Sequence, residues 1–262
     1  MPTDSHRRLR VAVQVLPQHA GYPAIRQAAT AAEELGADLV VNWDHFFPLG
    51  KVREGPHFEC WTTLGAWAES TSRAQIGALV SCAAYRNPDL LADMARTVDH
   101  ISGGRLVLGL GAGFREWEYT QYGYQFGTPG QRVRDVGAAL RRIRQRFAVL
   151  NPAPARPIPV LLAAGGPKML RLTAEHADIW HTLAKEDEVG GLSRSLDGHC
   201  HELGRDPAEI ERSAFVSGDP RQVGPRYLAH GITLFTVMTS GPDFDLGEAR
   251  RWIDWRDERN DE

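Results

Sequence analysis

Cysteine is scarce in this chain, and that scarcity excludes two kinds of protein. Cys60, Cys82 and Cys200 are the only three among 262 residues, and they lie far apart. A secreted scaffold held by disulfides needs an even set of cysteines, and a zinc knuckle needs closely paired ones. The pattern therefore predicts a reducing compartment, which favours the cytoplasm.

Two further shortages narrow the class of protein. No apolar run approaches the roughly 18 residues that cross a bilayer, and the opening MPTDSHRRLR has no apolar stretch behind its charges, unlike a signal peptide. The net charge of −3 gives no general attraction to nucleic acid or membrane. We therefore expect a small-molecule substrate as the partner, with no nucleic acid and no membrane.

What the sequence does contain is a regular alternation of short apolar runs and longer helical patterns. Its 42% hydrophobic and 24% charged residues are typical of a globular domain with a large core. The apolar runs are mostly continuous, as in parallel strands buried on both faces. Eight runs are predicted strands: Leu9–Val15, Asp38–Asn42, Gln75–Val80, Arg105–Leu110, Ile158–Ala163, Asp178–His181, Ile210–Val216 and Ile232–Met238.

The segments between these runs carry helix signals. A helix is predicted over Pro23–Leu35, with Gly36 after its end, and another begins at Asn87, whose side chain caps a first turn opened by Pro88. A third pattern covers Gly130–Phe147. Alternating strands and helices build parallel sheets through right-handed crossovers. Eight such units predict a single α/β domain over residues 1–262, a closed (β/α)8 TIM barrel, with a doubly wound open sheet as the alternative.

The fourth predicted strand ends in closely spaced glycines, Gly109, Gly111 and Gly113. A dinucleotide-binding fingerprint would need a further glycine at position 114 and a helix directly after it. Residue 114 is Phe114, and the next predicted helix begins only near Gly130. The glycines therefore lie at the carboxyl end of a barrel strand, where barrel enzymes keep their sites. Either they let a flat ligand approach the backbone, or they simply allow a tight turn.

Two other strand ends carry candidate site residues. The loop NWDHFFP (42–48) joins Asp44 and His45 to three aromatic residues. Either Asp44 caps a turn and His45 packs among rings, or the loop is a ring-binding wall with a titratable group near the chemistry. In AAGGPK, Gly165 and Gly166 precede a helix that begins at Pro167. Free N–H groups there would bind an anion; alternatively, glycine serves a turn with positive φ.

Four motifs in sequence order resemble one known family. They are DHFFP, LVSCAAYRNPDLLADMARTVDHISGGRLVLGLGAG, YGYQFGTPGQRV and PVLLAAGGPKMLRLTAEHADIW. Together they resemble the bacterial luciferase-like flavin barrel superfamily over roughly residues 9–182, and within it the actinobacterial oxidoreductases that use the deazaflavin coenzyme F420. The resemblance implies a luciferase-like TIM barrel with F420, or alternatively FMN, over its carboxyl-terminal mouth, and a homodimer.

The resemblance also implies site residues. It places His45 and Asp44 beside the reactive edge of the ring. It implies a non-prolyl cis peptide between Ala78 and Leu79 behind the ring, with Ser81 facing the cofactor. The other cofactor-binding residues that it implies are Gly111 and Ala112, which flank the ring, and Ala164, Gly165 and Gly166, which hold the phosphate through N–H groups.

Two departures from the family pattern qualify the function. Phe114 stands where some sugar-phosphate dehydrogenases of the family carry a glutamate acid, so their proton-transfer step is not carried over. A short proline-rich bridge between Phe147 and Ile158 replaces a longer segment that walls the substrate pocket in relatives. We predict an F420-dependent oxidoreductase that transfers hydride between the deazaflavin and a small organic substrate, in which His45 donates a proton or hydrogen-bonds to the site of charge change. An FMN-dependent monooxygenase and a non-catalytic cofactor-binding barrel are the alternatives.

Three remaining features predict structure rather than chemistry. His199-Cys200-His201 would point in different directions on a helix, so we predict no metal site there. The arginine-rich helix that ends at Phe147 is expected to face solvent. Trp252 and Trp255, near the end of the chain, are expected to dock on the barrel or on a second subunit.

Overall fold

The computed structural model describes residues 7–50 and 52–262, which alternate between strands and helices along the chain. The elements are β1 (Arg10–Leu16), α1 (Tyr22–Glu34), β2 (Leu39–Asn42), α2 (Cys60–Ser70), β3 (Gln75–Ala78), β4 (Ser81–Cys82), α3 (Pro88–Ile101), β5 (Leu106–Gly111), α4 (Glu116–Gln121), α5 (Pro129–Phe147), β6 (Val160–Ala163), α6 (Pro167–His176), β7 (Ile179–Thr182), α7 (Glu186–Glu202), β8 (Glu211–Phe215), α8 (Pro220–Leu228), β9 (Ile232–Ser240) and α9 (Gly247–Asp261).

The strands form a closed parallel barrel. Hydrogen-bonded neighbours follow the order β3-β2-β1-β9-β8-β7-β6-β5, and β5 closes the ring by pairing with β3, Leu106 opposite Ile76. The short β4 lies beyond β3 and also pairs with β5, Ser81 opposite Leu110. Counted with β4 as the continuation of β3, the described residues form eight barrel strands. The predicted TIM barrel is confirmed, and the open sheet is wrong because none of the described strands is left at an open edge.

The predicted strands all occur, with ends that differ by about two residues or fewer. The prediction is wrong for the third strand, which does not run unbroken over Gln75–Val80. It stops at Ala78 and resumes at Ser81. Because its apolar run continues through the interruption, hydrophobicity alone gave no sign of the break.

The non-prolyl cis peptide bond lies between Leu79 and Val80, one bond later than the resemblance implied. Ala78 still pairs with Asn42 of β2, and the N–H group of Leu79 still donates to the Asn42 carbonyl at 2.8 Å. The bond between Ala78 and Leu79 therefore belongs to the regular ladder. The irregular bond is the first one beyond that ladder.

Helices α2, α4 and α9 have no counterpart among the predicted helices. Helix α4 covers six residues, Glu116–Gln121, in a stretch where no helix was predicted before Gly130. A helix of fewer than two turns is too short for an apolar periodicity to be visible. The other predicted helices are confirmed, including the Asn87 cap, whose side chain accepts the N–H of Asp89 at 2.8 Å.

The glycines at the end of β5 let two neighbouring strands come close together. A Cβ on Gly109 would overlap the carbonyl oxygen of Ala78, and one on Gly111 would lie 2.6 Å from Cγ2 of Val80. Gly113 has a φ of +69°, which favours glycine. A close approach therefore does occur at Gly109 and Gly111, but what approaches is the interrupted strand β3–β4.

The carboxyl-terminal helix docks on the protein's own barrel. Trp252 is fully buried and stacks on Phe235 of β9 at 5.1 Å between ring centroids, and Trp255 meets the same ring edge-on at 5.3 Å.

On the outside, Arg142 of α5 pairs with Asp89 at 2.7 Å. None of the helices that the structure describes is both long enough and apolar enough to cross a membrane.

Candidate active site

A cleft with two lobes opens at the carboxyl end of the barrel. One lobe, called here the His45 lobe, has a volume of about 280 Å³. The other, called the Gly165 lobe, measures about 490 Å³ and lies where β6 and β7 lead into their helices. Ala163 and Leu183 line both lobes, so the two lie side by side, and they are treated together as one cleft.

His45 is held at the mouth of the first lobe by a carboxylate from α4. Its Nδ1 atom lies 2.7 Å from Oε2 of Glu118, whose side chain is fully buried. The same carboxylate accepts the backbone N–H groups of Phe46 at 3.2 Å and Phe47 at 3.3 Å, and the hydroxyl of Tyr85 donates to it at 3.3 Å. Glu118 therefore fixes both the loop after β2 and the orientation of the His45 ring.

The carboxyl group of Glu118 is ionised near neutral pH. Burial by itself would raise its pKa, but the hydrogen bond and charge of His45, the N–H of Phe46 and the charge of Arg115 together lower that pKa below its usual value. An ionised carboxylate only accepts hydrogen bonds, so we place the shared hydrogen on Nδ1 of His45. The Nε2 atom makes no hydrogen bond to any described residue and is left for the cleft.

Asp44 is also buried at this lobe, but its oxygen atoms are already engaged. Arg86 of the β4–α3 loop contacts it with both terminal nitrogens, at 2.6 and 2.9 Å, and the backbone N–H of Cys82 donates to it at 2.9 Å. Such a paired carboxylate joins the end of β2 to the end of β4.

Burial raises the pKa of the neighbouring Cys82 thiol to about 11, so this thiol is protonated.

The aromatic residues of the same loop do not form the ring-binding wall that one interpretation of the sequence offered. Phe46 stacks on Tyr122 at 3.7 Å, and Phe47 packs against Trp117 at 4.4 Å, so both rings turn toward α4 and its carboxyl end. Trp43 meets the edge of the His45 ring at 5.2 Å. These contacts fix the loop and leave only His45 and Asp44 facing the cleft.

Of the other residues expected to bind the cofactor in the first lobe, four line it and one does not. Leu79, Ser81, Gly111 and Ala112 line it. The Ser81 hydroxyl accepts the indole N–H of Trp61 at 3.0 Å, which fixes its orientation. Ala78 does not reach the cleft, because its side chain is buried in the main core.

The second lobe ends at the turn before α6. Ala164 and Gly165 line it, and Gly166 follows as the N-cap residue of α6, with no side chain capping the helix. Gly166 has a φ of −107°, and Gly165 is not in the positive-φ region either. A Cβ on either glycine would meet nothing within 4 Å. Glycine therefore serves no positive-φ turn here. The N–H groups of these two residues donate to no described residue, whereas that of Ala164 already donates to the His181 carbonyl at 3.0 Å and is not free for a phosphate.

Sequence reasoning missed the residues that organise the first lobe. Glu118 lies on helix α4, which was not predicted, and Arg115 is the N-cap residue of that helix. Arg86 lies in a loop whose sequence carries no recognisable motif. His181 was treated as the last residue of a strand, yet it is fully buried at the floor of the lobe. The sequence signal for Glu118 was an acidic residue between two aromatic residues, Trp117 and Tyr119. Such a pattern is not specific for a functional site.

Comparison with known proteins identifies related sequences. A family model described as luciferase-like monooxygenase matches residues 8–218. An F420-dependent glucose-6-phosphate dehydrogenase of Amycolatopsis mediterranei is 29% identical over 65% of this chain and 56% of its own length. An F420-dependent hydroxymycolic acid dehydrogenase of Mycobacterium tuberculosis is 29% identical over 71% of this chain and 56% of its own. The chain thus spans just over half the length of these curated relatives.

A solved structure shares the fold across nearly the whole chain. It is described as an F420-dependent secondary alcohol dehydrogenase in complex with an F420-acetone adduct, and it superposes with a TM-score of 0.83. The match covers 95% of this chain and 98% of the other at 17% sequence identity. At that identity the likeness establishes the barrel and its chain order.

Proposed function

The chain belongs to the luciferase-like monooxygenase family, and from that premise we propose that it is an F420-dependent oxidoreductase acting on a small organic substrate. The observation that carries the proposal is that the two lobes adjoin: the lobe with His45 shares Ala163 and Leu183 with the lobe that ends at Gly165. A flat ring joined to an anionic tail needs such a site. The names of the related dehydrogenases support the choice of coenzyme.

The residues present fit such a coenzyme. The lobe volumes fall within or near the range of about 300–1,000 Å³ that is usual for ligand pockets. Gly165 and Gly166 have N–H groups that donate to no described residue, at a helix amino terminus, which suits a phosphate or another anion. Leu79, Gly111 and Ala112 offer an apolar surface to a ring. Glu188 also lines the second lobe, and its carboxylate opposes an anionic tail.

We assign the roles of the mouth residues from their contacts. When bound, F420 supplies the carbon that accepts or donates the hydride. His45 holds or moves a proton at Nε2, the ring atom that Glu118 leaves free by binding Nδ1–H. Glu118 acts through His45 and is a positioning residue. Asp44 stays in the site as a second positioning residue, because Arg86 and Cys82 already engage its oxygens.

The buried, ionised Glu118 favours an enzyme over a non-catalytic cofactor carrier. A carrier needs no titratable group that is held in one orientation at the ring. A carboxylate that fixes an imidazole at a cleft is an arrangement used for proton transfer.

We also propose a homodimer in the cytoplasm. The dimer rests on the family resemblance, and the cytoplasm is supported by Cys60, Cys82 and Cys200, all buried and unpaired.

Titration with F420, followed by its fluorescence, tests the coenzyme. We expect saturable quenching at micromolar F420, and then reversible reduction of F420 with a panel of alcohols and aldehydes. No change in fluorescence would contradict the proposal. Oxygen uptake with reduced FMN and a flavin reductase, without any response to F420, would favour the FMN-dependent monooxygenase instead. Sedimentation velocity measures the oligomeric state, and a monomer would contradict the homodimer.

A further inference from the structure

His181 lies at the floor of the cleft, where the two lobes meet. It is fully buried on β7 and stands opposite Ala163 of β6, the residue that both lobes share. His181 lines the His45 lobe, and the next residue, Thr182, lines the Gly165 lobe. A molecule that fills both lobes would therefore lie next to His181.

One ring nitrogen of His181 has a partner, and the other has none. Nδ1 lies 2.9 Å from the hydroxyl oxygen of Ser213, which in turn lies 3.2 Å from the hydroxyl oxygen of Thr236. Nε2 is buried and makes no hydrogen bond within the described part of the chain. The Phe215 ring packs edge-on against the imidazole at 4.7 Å. Among the buried side-chain polar atoms that have no partner in the described residues, this is the one whose residue lines the cleft.

The surroundings of His181 select an uncharged partner. Burial lowers its pKa to about 3, so the imidazole is neutral at ordinary pH, and the hydroxyls behind it are neutral too. The acidic and basic side chains that line the first lobe are engaged elsewhere: Asp44 by Arg86, His45 by Glu118, and Arg115 by Glu118 and the Pro48 carbonyl. A charged group pressed onto His181 would lose its hydration without gaining a counter-ion. A hydroxyl or carbonyl group would not incur that cost.

We propose that His181 is a coenzyme-binding residue whose Nε2 atom hydrogen-bonds an uncharged hydroxyl or carbonyl group located between the flat ring and the anionic tail of the bound molecule. This assignment rests on the proposed function and adds a determinant at the junction of the lobes. It predicts that affinity for the coenzyme depends on the atom at the Nε2 position. It also predicts that affinity for the coenzyme depends little on the hydrogen bond between His181 and Ser213.

Two substitutions separate the ring nitrogens. His181→Asn keeps a polar atom near the Nδ1 position for Ser213 but places none at Nε2, whereas His181→Gln reaches the Nε2 position. The dissociation constant for F420 is measured by fluorescence quenching. We expect His181→Asn to weaken binding about 5- to 10-fold and His181→Gln to stay within about 3-fold of the wild type.

His176→Asn is the matched control. His176 is also buried, and neither of its ring nitrogens has a hydrogen-bond partner among the described residues, but it lies on α6 outside the cleft. It should bind F420 within about twofold of the wild type. Circular dichroism and thermal melting establish that each variant is folded.

A measurement on the unaltered protein covers the case in which a variant does not fold. With ¹⁵N-labelled histidine, the Nε2 resonance of His181 should shift when F420 is added, and those of His176 should not. Wild-type binding with an unchanged His181→Asn affinity, or with an unmoved His181 resonance, overturns this assignment alone. Failure of the wild-type protein to bind either F420 or FMN overturns the proposed function and this assignment together.

Discussion

His45 and Glu118 are 73 residues apart in the chain, yet Nδ1 of one lies 2.7 Å from Oε2 of the other at the mouth of the barrel. The contact joins the loop after β2 to the short helix α4. It gives the imidazole one orientation and one tautomer, because the buried carboxylate is ionised and can only accept. The first two predictions test what each partner does.

Replacing His45 with alanine removes the group to which we assign the proton transfer. We expect kcat with the best substrate to fall by about 10²- to 10⁴-fold, the usual range for loss of a general acid or base. Coenzyme affinity should change little, since the turn proposed to bind the anionic tail lies in the other lobe. His201→Ala, on the exposed face of α7, is the control and should keep full activity. Unchanged turnover in His45→Ala would remove His45 from the mechanism.

Glu118→Gln keeps the size of the side chain but removes its charge. The amide can donate to Nδ1, so the ring is free to adopt the wrong tautomer, and we expect kcat to fall by about 10²-fold or more with KM nearly unchanged. Glu116→Gln, on the exposed side of the same helix, is the matched control.

The pH dependence of these variants follows from the lowered pKa of Glu118. The pKa of Glu118 in the folded protein lies below the ordinary value of 4.5. Its carboxylate therefore stays ionised above pH 4.5, and it loses its negative charge only when the pH falls further. The wild-type protein should therefore hold His45 in place throughout the neutral range. Equal kcat for Glu118→Gln and wild type across that range would show that the pair is merely structural.

Glu33 should contribute to stability in a pH-dependent way. Its buried carboxylate accepts the N–H groups of Ser72, Arg73 and Ala74 at 2.6 to 2.9 Å. Burial would raise its pKa, but these N–H donors and the charge of Arg105 lower it. The contribution is therefore fully present above the unfolded value of 4.5 and is lost as the pH falls below it.

Urea unfolding of Glu33→Gln measures that contribution. We expect a loss of about 1–3 kcal/mol in the free energy of unfolding near neutral pH, and a much smaller loss near about pH 3. Glu34→Gln is exposed on the same helix and should change stability by less than about 0.5 kcal/mol. A loss that does not depend on pH would contradict the ionised state of Glu33.

Gly109→Ala tests the close contact between β5 and the interrupted third strand. The added Cβ would overlap the carbonyl oxygen of Ala78, which is backbone and has little room to move. We expect unfolding to become easier by about 1–3 kcal/mol or more. Gly165→Ala is the control, because its Cβ meets nothing within 4 Å, and its stability should match the wild type. Wild-type stability in Gly109→Ala would mean that the strands are farther apart.

Glu188→Gln tests the anionic tail. Glu188 lines the Gly165 lobe, so removing its charge should tighten F420 binding by about 2- to 5-fold, the scale of a solvent-exposed charge interaction. The gain should shrink in high salt. Asp187→Asn, next to it on α7 but outside the lobe lining, should have a smaller effect. Weaker binding in Glu188→Gln would place the tail elsewhere.

Most of the fold could be read from short windows of sequence. Continuous apolar runs predict buried parallel strands, and Asn87-Pro88 predicts a helix start, because both signals come from residues close together in the chain. The same reasoning placed His45 and Gly165 at strand ends. Since parallel strands in a closed barrel end on one side, it followed that both residues face the same mouth.

Residues 42–48 and AAGGPK thus already contain the candidate imidazole and the open glycine turn, and no long-range information was needed to find them. The partner of that imidazole was not accessible in the same way. Glu118 reaches His45 only because the barrel closes and a six-residue helix lies over the mouth. Likewise, the break before Ser81, the need for glycine at position 109 and the unpartnered nitrogen of His181 all depend on strand register. Register and closure bring together segments tens of residues apart, and no local pattern of hydrophobicity or capping encodes such a contact.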